Sequence, residues 1–292
     1  MVIYLLSSYL DISSAFQIDS FENNFLVIMG LIWIVCAVIQ DFRKREVANW
    51  WNFSLIVLAL SFRAFVSINQ GSWSYLLWGL FGLACGFLVH NLFYYARIFA
   101  GGDAKLLLAL CTILPFGLEW RLNLAILLIY LVLILISGAV YGLVYSLILV
   151  IMHFKSFSKE FGVVFRVNKK AILFMLLFSL ILGTIFYYLN FILGVMLCAL
   201  LFFTPFLLVS AKSIEKTCMI KEVKVKDLTI GDWTVNPLSV GKRTINPNWE
   251  GLSEKEIKII KNKLNKNKKV IVREGIPFTP SFLFALILLV WI

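Results

Sequence analysis

The chain of 292 residues is 61% hydrophobic and 15% charged, with a mean hydropathy of +0.91 and a formal net charge of +11. A soluble domain carries roughly 25% charged residues, so this balance excludes a water-soluble globular protein and points to an integral membrane protein. The five cysteines lack paired spacing, and neither His90 nor His153 has neighbours spaced as metal ligands, so the sequence carries no zinc motif and implies no metal.

From the N-terminus, residues 1–20 lack the basic leading residues and small-residue cleavage site of a secretory signal, and Asp11, Asp19 and several serines interrupt them. They read as an amphipathic arm. Eight apolar runs follow, over residues 25–40, 51–68, 74–98, 104–118, 123–152, 171–189, 191–211 and 277–292. A helix needs about 17 to 25 residues to cross a hydrocarbon core of about 30 Å. Several runs fall short of that, so the expected fold is an all-α polytopic membrane protein with about eight (six to eight) transmembrane helices.

Residues 212–275 form the sizeable polar region, expected as a small cytoplasmic α+β piece before the last helix. Charge alternates with Val and Ile over Met219-Ile220-Lys221-Glu222-Val223-Lys224-Val225-Lys226, the period of a strand. Gly231-Asp232-Trp233, Asn236-Pro237 and Asn246-Pro247-Asn248 read as turns. Ser253 caps a helix with acids in its first turn and Ile257, Ile260 and Leu264 at helical spacing, and a basic tract covers residues 261–269. The expected organisation is thus arm 1–20, transmembrane core 21–211, basic cytoplasmic region 212–275 and C-terminal helix 276–292. The basic residues serve topology and anionic lipid, and nothing in the loop beyond Trp233 and Trp249 offers the stacking surface of a nucleic-acid binder. The lipid bilayer is the expected partner, and oligomeric state leaves no mark on the sequence.

Lys and Arg in short loops stay on the cytoplasmic side. Arg43, Lys44 and Arg45 follow the first run, Arg97 and Lys105 flank the turn after the third, and Lys155, Lys159, Arg166, Lys169 and Lys170 follow the fifth. Eight spans with an external N-terminus put all of these on one side. Asp41, in Gln40-Asp41-Phe42-Arg43, then closes a helix arriving at the cytoplasm, and Asp103, in Gly101-Gly102-Asp103-Ala104, opens one leaving it. Two carboxyls at one membrane depth are the minimum for acid–base hydrolysis. Each has a plainer reading, Asp41 as a boundary residue paired with the basic cluster and Asp103 as an N-cap. Gly101 and Gly102 read as a sharp turn in which backbone can approach a substrate or a neighbouring helix closely, and Asn49 and Lys105 lie close by and could orient a substrate, although a helix start and a snorkelling lysine account for the last two as well.

The stretch Asp41-Phe42-Arg43-Lys44-Arg45-Glu46-Val47-Ala48-Asn49-Trp50, the Gly101-Gly102-Asp103-Ala104-Lys105 motif, and Val272-Arg273-Glu274-Gly275-Ile276-Pro277-Phe278-Thr279-Pro280 resemble, in order, the prepilin peptidases of the GxGD aspartic membrane protease group, particularly archaeal prepilin and preflagellin peptidases. The group's signature has glycine three residues before the aspartate, where this chain has Ala100. The resemblance implies an endopeptidase that removes the leader of type IV pilin-like or archaellin precursors at the cytoplasmic face of the cell membrane. Asp41 and Asp103 would activate water, without a cofactor. Bacterial members that also methylate the new N-terminus often carry a cysteine-rich zinc insert, which this chain lacks, so the resemblance implies cleavage without methylation. A transporter with boundary carboxylates and a non-enzymatic membrane scaffold are the alternatives that the residues leave open.

Overall fold

The computed structural model describes residues 20–96, 98–99, 101–229, 231–240, 243–248, 251–265 and 267–291. The N-terminal arm, apart from Ser20, and Ala100 lie outside the described residues. The described chain is a polytopic helical protein with a small strand region near its C-terminus, and it forms two compact units: the described part of Met1–Leu143 with Ile276–Ile292, and Val144–Gly275.

In the first unit run helices α1 (Phe21–Lys44), α2 (Asn49–Gln70), α3 (Ser74–Tyr95), α4 (Gly101–Cys111), the start of α5 (Trp120–Met152) and, from the far end of the sequence, α10 (Thr279–Trp291). Six helices of the described residues are long and apolar enough to cross a membrane: α1, α2, α3 and α5 here, and two in the second unit. The apolar runs at 104–118 and 277–292 instead yield α4 and α10, of 11 and 13 residues. Eleven residues rise only about 16 Å, roughly half a hydrocarbon core.

Helical periodicity decides which side chains turn inward. On α1 the buried positions include Leu26, Gly30, Ile34, Ala37 and Asp41, and on α2 they are Asn52, Leu55, Ala59, Arg63, Val66 and Ser67, three or four residues apart. Each stripe is apolar in the middle and polar towards an end. The stripes meet through Trp33 and Trp51, whose rings stack at 4.9 Å while each indole N–H donates to the other's backbone carbonyl, at 3.2 and 3.1 Å. The buried face of α3 is Gly79, Gly82 and Gly86. A Cβ at Gly82 would stand 2.1 Å from the Cys111 carbonyl, and one at Gly79 would stand 2.4 Å from Arg63 Cδ, so the bare backbone of α3 is what admits α4.

α4 is the innermost helix, with residues 106–111 all buried. Pro115, which has no N–H and biases the residue before it away from helix, prevents its extension. The chain beyond it, residues 112–117, is irregular yet buried, and its polar backbone cannot look to lipid. Arg63, fully buried, answers this by donating to the carbonyls of Thr112 (3.1 Å), Ile113 (2.8 Å), Pro115 (2.8 Å) and Tyr75 (3.1 Å). Asn23 donates to Phe116, and Asn123 both accepts from and donates to the Gly117 backbone. α5 in turn holds α10: the Tyr130 hydroxyl donates to the Phe282 carbonyl at 3.3 Å, and Ser137 donates to that of Ser281 at 2.8 Å.

The second unit contains the rest of α5, then α6 (Phe154–Val167), α7 (Lys169–Leu189) and α8 (Phe191–Thr217). α7 and α8 are long and apolar enough to span, and they pack where Gly194 lies on the Tyr187 backbone and Gly183 on Cys198. α6 is amphipathic, with Phe157, Phe161 and Phe165 in a column. The polar region then folds as β1 (Ile220–Lys224), a 3-10 turn (Val225–Asp227), β2 (Trp233–Thr234), β3 (Leu238–Val240), β4 (Arg243–Ile245), α9 (Glu254–Lys263) and β5 (Lys269–Arg273). β1 and β2 flank β5 antiparallel, and β3 and β4 form a hairpin. The strand and capped helix lie where the sequence placed them, and α9 carries a complete capping box between Ser253 and Glu256. The basic tract is no single element: it ends α9, passes a turn and opens β5, whose Val270 and Val272 enter a core with Val225, Val240, Ile257 and Ile260.

Replacing Arg63 with alanine removes the partners of four buried carbonyls, and the expected loss of stability is on the order of 3 kcal/mol. Thermal melting in detergent checks it. Arg63→Lys should recover only part of the loss, because an ammonium lacks the planar fork that reaches several carbonyls at once.

Candidate functional site

Antiparallel succession brings one set of helix ends together. The C-terminal end of α1, the N-terminal ends of α2 and α4, and the start of α10 supply Asp41, Asn49, Asn52, Gly102, Asp103, Lys105 and Thr279. Asp41 occupies the last position of α1's inward stripe and is 7% exposed. An acid there is held by what the neighbours donate. The Thr279 backbone N–H and hydroxyl both reach Asp41 Oδ2, at 3.2 and 2.9 Å.

Just beyond Asp41 the helix ends on Arg45, in the left-handed region at φ 56°, whose N–H returns to the Asp41 carbonyl at 2.8 Å. The turn then runs back through buried Val47 to α2, whose entry is steadied by Gln40 accepting from the Ala48 N–H. This turn is the surface on which α4 lands. At Gly102 a Cβ would lie 3.6 Å from the Val47 nitrogen and 3.9 Å from its oxygen, so helix and turn lie in close contact. Gly101 and Gly102 are the first residues of α4 and take ordinary helical backbone; among described glycines only Gly71, Gly231 and Gly251 have positive φ. The glycine pair is therefore not the sharp turn read from the sequence. Gly102 supplies proximity rather than a left-handed conformation.

Asp103 follows in the first turn of α4, within range of the Asp41 charge. Asn52 donates from Nδ2 to the Gly102 carbonyl at 3.4 Å and is buried, its Oδ1 having no hydrogen-bond partner among the described residues. At the open rim Lys105 Nζ donates to Asn49 Oδ1 at 2.7 Å, linking α4 to the first residue of α2. Gly101 faces the Tyr94 ring at the end of α3. Apolar contacts close another flank, where Phe99 lies against Phe93, Phe278 and Phe282 with centroids 5.1 to 5.7 Å apart.

The six residues singled out from the sequence thus lie at one end of the unit, with the helix end that carries Asp41 and the one that carries Asp103 joined through the Val47 turn and Gly102, and Asn49 and Lys105 bonded to each other. Sequence reasoning gave no part to Asn52 or Thr279. The signal for Asn52 is its register: it sits one turn before Leu55 on the stripe that continues through Ala59 and Arg63, where a polar side chain must find a partner indoors. Thr279 stands in the third matching stretch but nothing local singles it out, since its partner lies 238 residues away.

Residues 28–147 match the profile of the type IV leader peptidase family. A preflagellin peptidase of Methanococcus maripaludis is 30% identical over 88 residues, which is 30% of this chain and 38% of that protein. The chain therefore matches little more than a third of the length of this curated relative. No solved structure matches. The matched segment contains both aspartates and ends long before Thr279.

A Cβ at Gly102 fits in ordinary van der Waals contact, whereas a branched side chain would wedge α4 away from the Val47 turn. Short bismaleimide crosslinking between Asp41→Cys and Asp103→Cys, with native cysteines removed, should persist with Gly102→Ala and be lost with Gly102→Leu.

Proposed function

We propose, from a segment that matches the type IV leader peptidase family, that this multi-pass membrane protein is an aspartic endopeptidase removing leader peptides from type IV pilin-like or archaellin precursors. The observation that carries the reading is the juxtaposition of two helix ends, the last turn of α1 with Asp41 and the first turn of α4 with Asp103, where Gly102 lies against the Val47 turn. Two acids so placed suit the joint activation of one water molecule. One carboxylate takes a proton from water as it attacks the scissile carbonyl, and the other, protonated, donates to the carbonyl oxygen. Collapse of the tetrahedral intermediate reverses the roles and passes a proton to the leaving amine. The two acids act as a coupled pair, so neither base nor acid is assigned to one of them.

The lysines and arginines of the loops support a cytoplasmic site. Arg43 and Lys44 stand in the last turn of α1, and the connection from α2 to α3 carries no basic residue. The substrate would present its leader and the start of its hydrophobic helix at that membrane face. Gly102 and the Asn49–Lys105 link would set the spacing of the helix ends rather than take part in the proton transfers. All five cysteines are free and dispersed, which fits the expectation of a peptidase without methyl transfer.

Membranes holding Asp41→Asn or Asp103→Asn should cleave a reporter precursor at least about a hundredfold more slowly than wild type, since each variant removes one proton-transfer group. N-terminal sequencing of the product reads cleavage, and unchanged melting temperatures rule out unfolding. Full cleavage by either variant would sink the reading. Incubated with S-adenosylmethionine and a cleaved pilin, the purified wild-type protein should transfer no methyl group, which mass spectrometry of the new N-terminus measures.

A further inference from the structure

We infer that Thr279 is a positioning residue for Asp41, so that the last helix, outside the family-matched segment, completes the site; this rests on the peptidase reading above. Asp41 Oδ2 receives two donors from one residue, the backbone N–H at 3.2 Å and the hydroxyl at 2.9 Å. Two bonds to one oxygen fix the plane of the carboxylate and leave Oδ1 as the oxygen on which water can be activated. Thr279 is itself fully buried and opens α10, where the first N–H groups have no partner within the helix. Asp41 supplies the partner for that N–H.

The clamp has little room to move. One turn into α10, the Ser281 and Phe282 carbonyls accept from Ser137 and Tyr130 of α5. Just before it, the Phe278 ring fills the space at Gly138, where a Cβ would stand 2.5 Å away. Phe278 also packs against Phe99, on the segment that leads into α4 and Asp103. The support of Thr279 therefore comes from α5 and from the segment that leads into α4 and Asp103, so that a displacement of its hydroxyl is passed to the Asp41 oxygen it holds. Geometry at a reacting centre matters steeply: a displacement of about 1 Å can cost a hundredfold in rate.

The test compares Thr279→Ser, Thr279→Ala and Thr279→Val in the full-length protein in membranes, with a reporter precursor and melting temperatures for each. Serine keeps the hydroxyl, alanine loses it together with the methyl, and valine replaces the hydroxyl alone. Loss of one hydrogen bond to a charged group predicts a fall in kcat of about tenfold or more for the alanine and valine variants. KM should stay within about twofold, and serine should retain wild-type kcat within about twofold. The Ser and Ala pair decides the matter if the valine variant does not fold. Wild-type kcat in Thr279→Ala, or an equal fall in Ala and Ser, overturns the assignment. A readout free of turnover separates this from failure of the peptidase reading: the Asp41 carboxyl infrared band in protein with 13C-labelled aspartate, identified by its loss in Asp41→Asn. That band should shift in Thr279→Ala and hold in Thr279→Ser. Wild-type protein that cleaves no precursor but behaves so keeps the clamp while losing the proposed activity, and an unshifted band in Thr279→Ala removes the clamp whatever the cleavage.

Discussion

Everything in the first unit is built around one guanidinium. Arg63 lies fully buried on α2 and donates to three carbonyls within a short, buried stretch of irregular chain and to a fourth at the start of α3. In an apolar medium a backbone group without a partner costs several kcal/mol, which is why helices usually cross membranes whole. Here α4 stops after 11 residues and residues 112–117 stay inside, an arrangement that needs donors for each exposed carbonyl. Arginine suits the task because its fork reaches several acceptors in one plane and its stem packs among apolar groups. The Tyr75 ring covers the guanidinium at 4.5 Å, and the Tyr75 hydroxyl donates to Asn23, extending the network to the start of α1.

That constraint at one end of the unit has its consequence at the other. A helix pinned where it stops has a fixed starting point, and α4 starts with Gly102 on the Val47 turn and Asp103 beside Asp41. The glycine face of α3 removes the side chains that would hold α4 out, while the Trp33–Trp51 exchange sets α1 against α2 just above the turn. Small residues therefore fix depth in the bundle, and buried hydrogen bonds fix register. In lipid this division is expected, because helix association gains nothing from hiding apolar surface and depends on close backbone approach and polar pairing.

The same division explains what the sequence made legible. Apolar runs and their basic flanks sufficed for the polytopic fold, since crossing a membrane is a local property of about twenty residues. They leave the number of crossings at six to eight for a physical reason: mean apolarity does not distinguish lipid-facing from protein-buried residues, and the fourth run, whose helix α4 has 11 residues, is apolar because it is enclosed by its neighbours. Strand β1 and the capped helix α9 were readable from period and capping, both short-range signals. Strand β5 hid inside a basic tract, its pairing set by partners some fifty residues away. At the candidate site Asp41 and Asp103 stood out as acids at the ends of apolar runs, whereas Asn52 and Thr279 did not, because what distinguishes them is the partner and not the residue type.

A more discriminating reading follows from asking which polar residues share a stripe with apolar ones. Asp41 continues the row through Leu26, Gly30, Ile34 and Ala37, and Asn52 and Arg63 lie on the row through Leu55 and Ala59. A charge or amide on such a row is committed to the interior by its neighbours and must be met there by another element. Arg63 is met by backbone carbonyls, which occupy four of its five N–H donors and give it a structural part. Asp41 is met on Oδ2 by Thr279, while the neighbour that its charge reaches is another acid, a pairing that stability alone would not favour. Two acids brought to one end of a membrane protein's helices are not explained by packing, which is what makes Asp41 and Asp103 the candidate site.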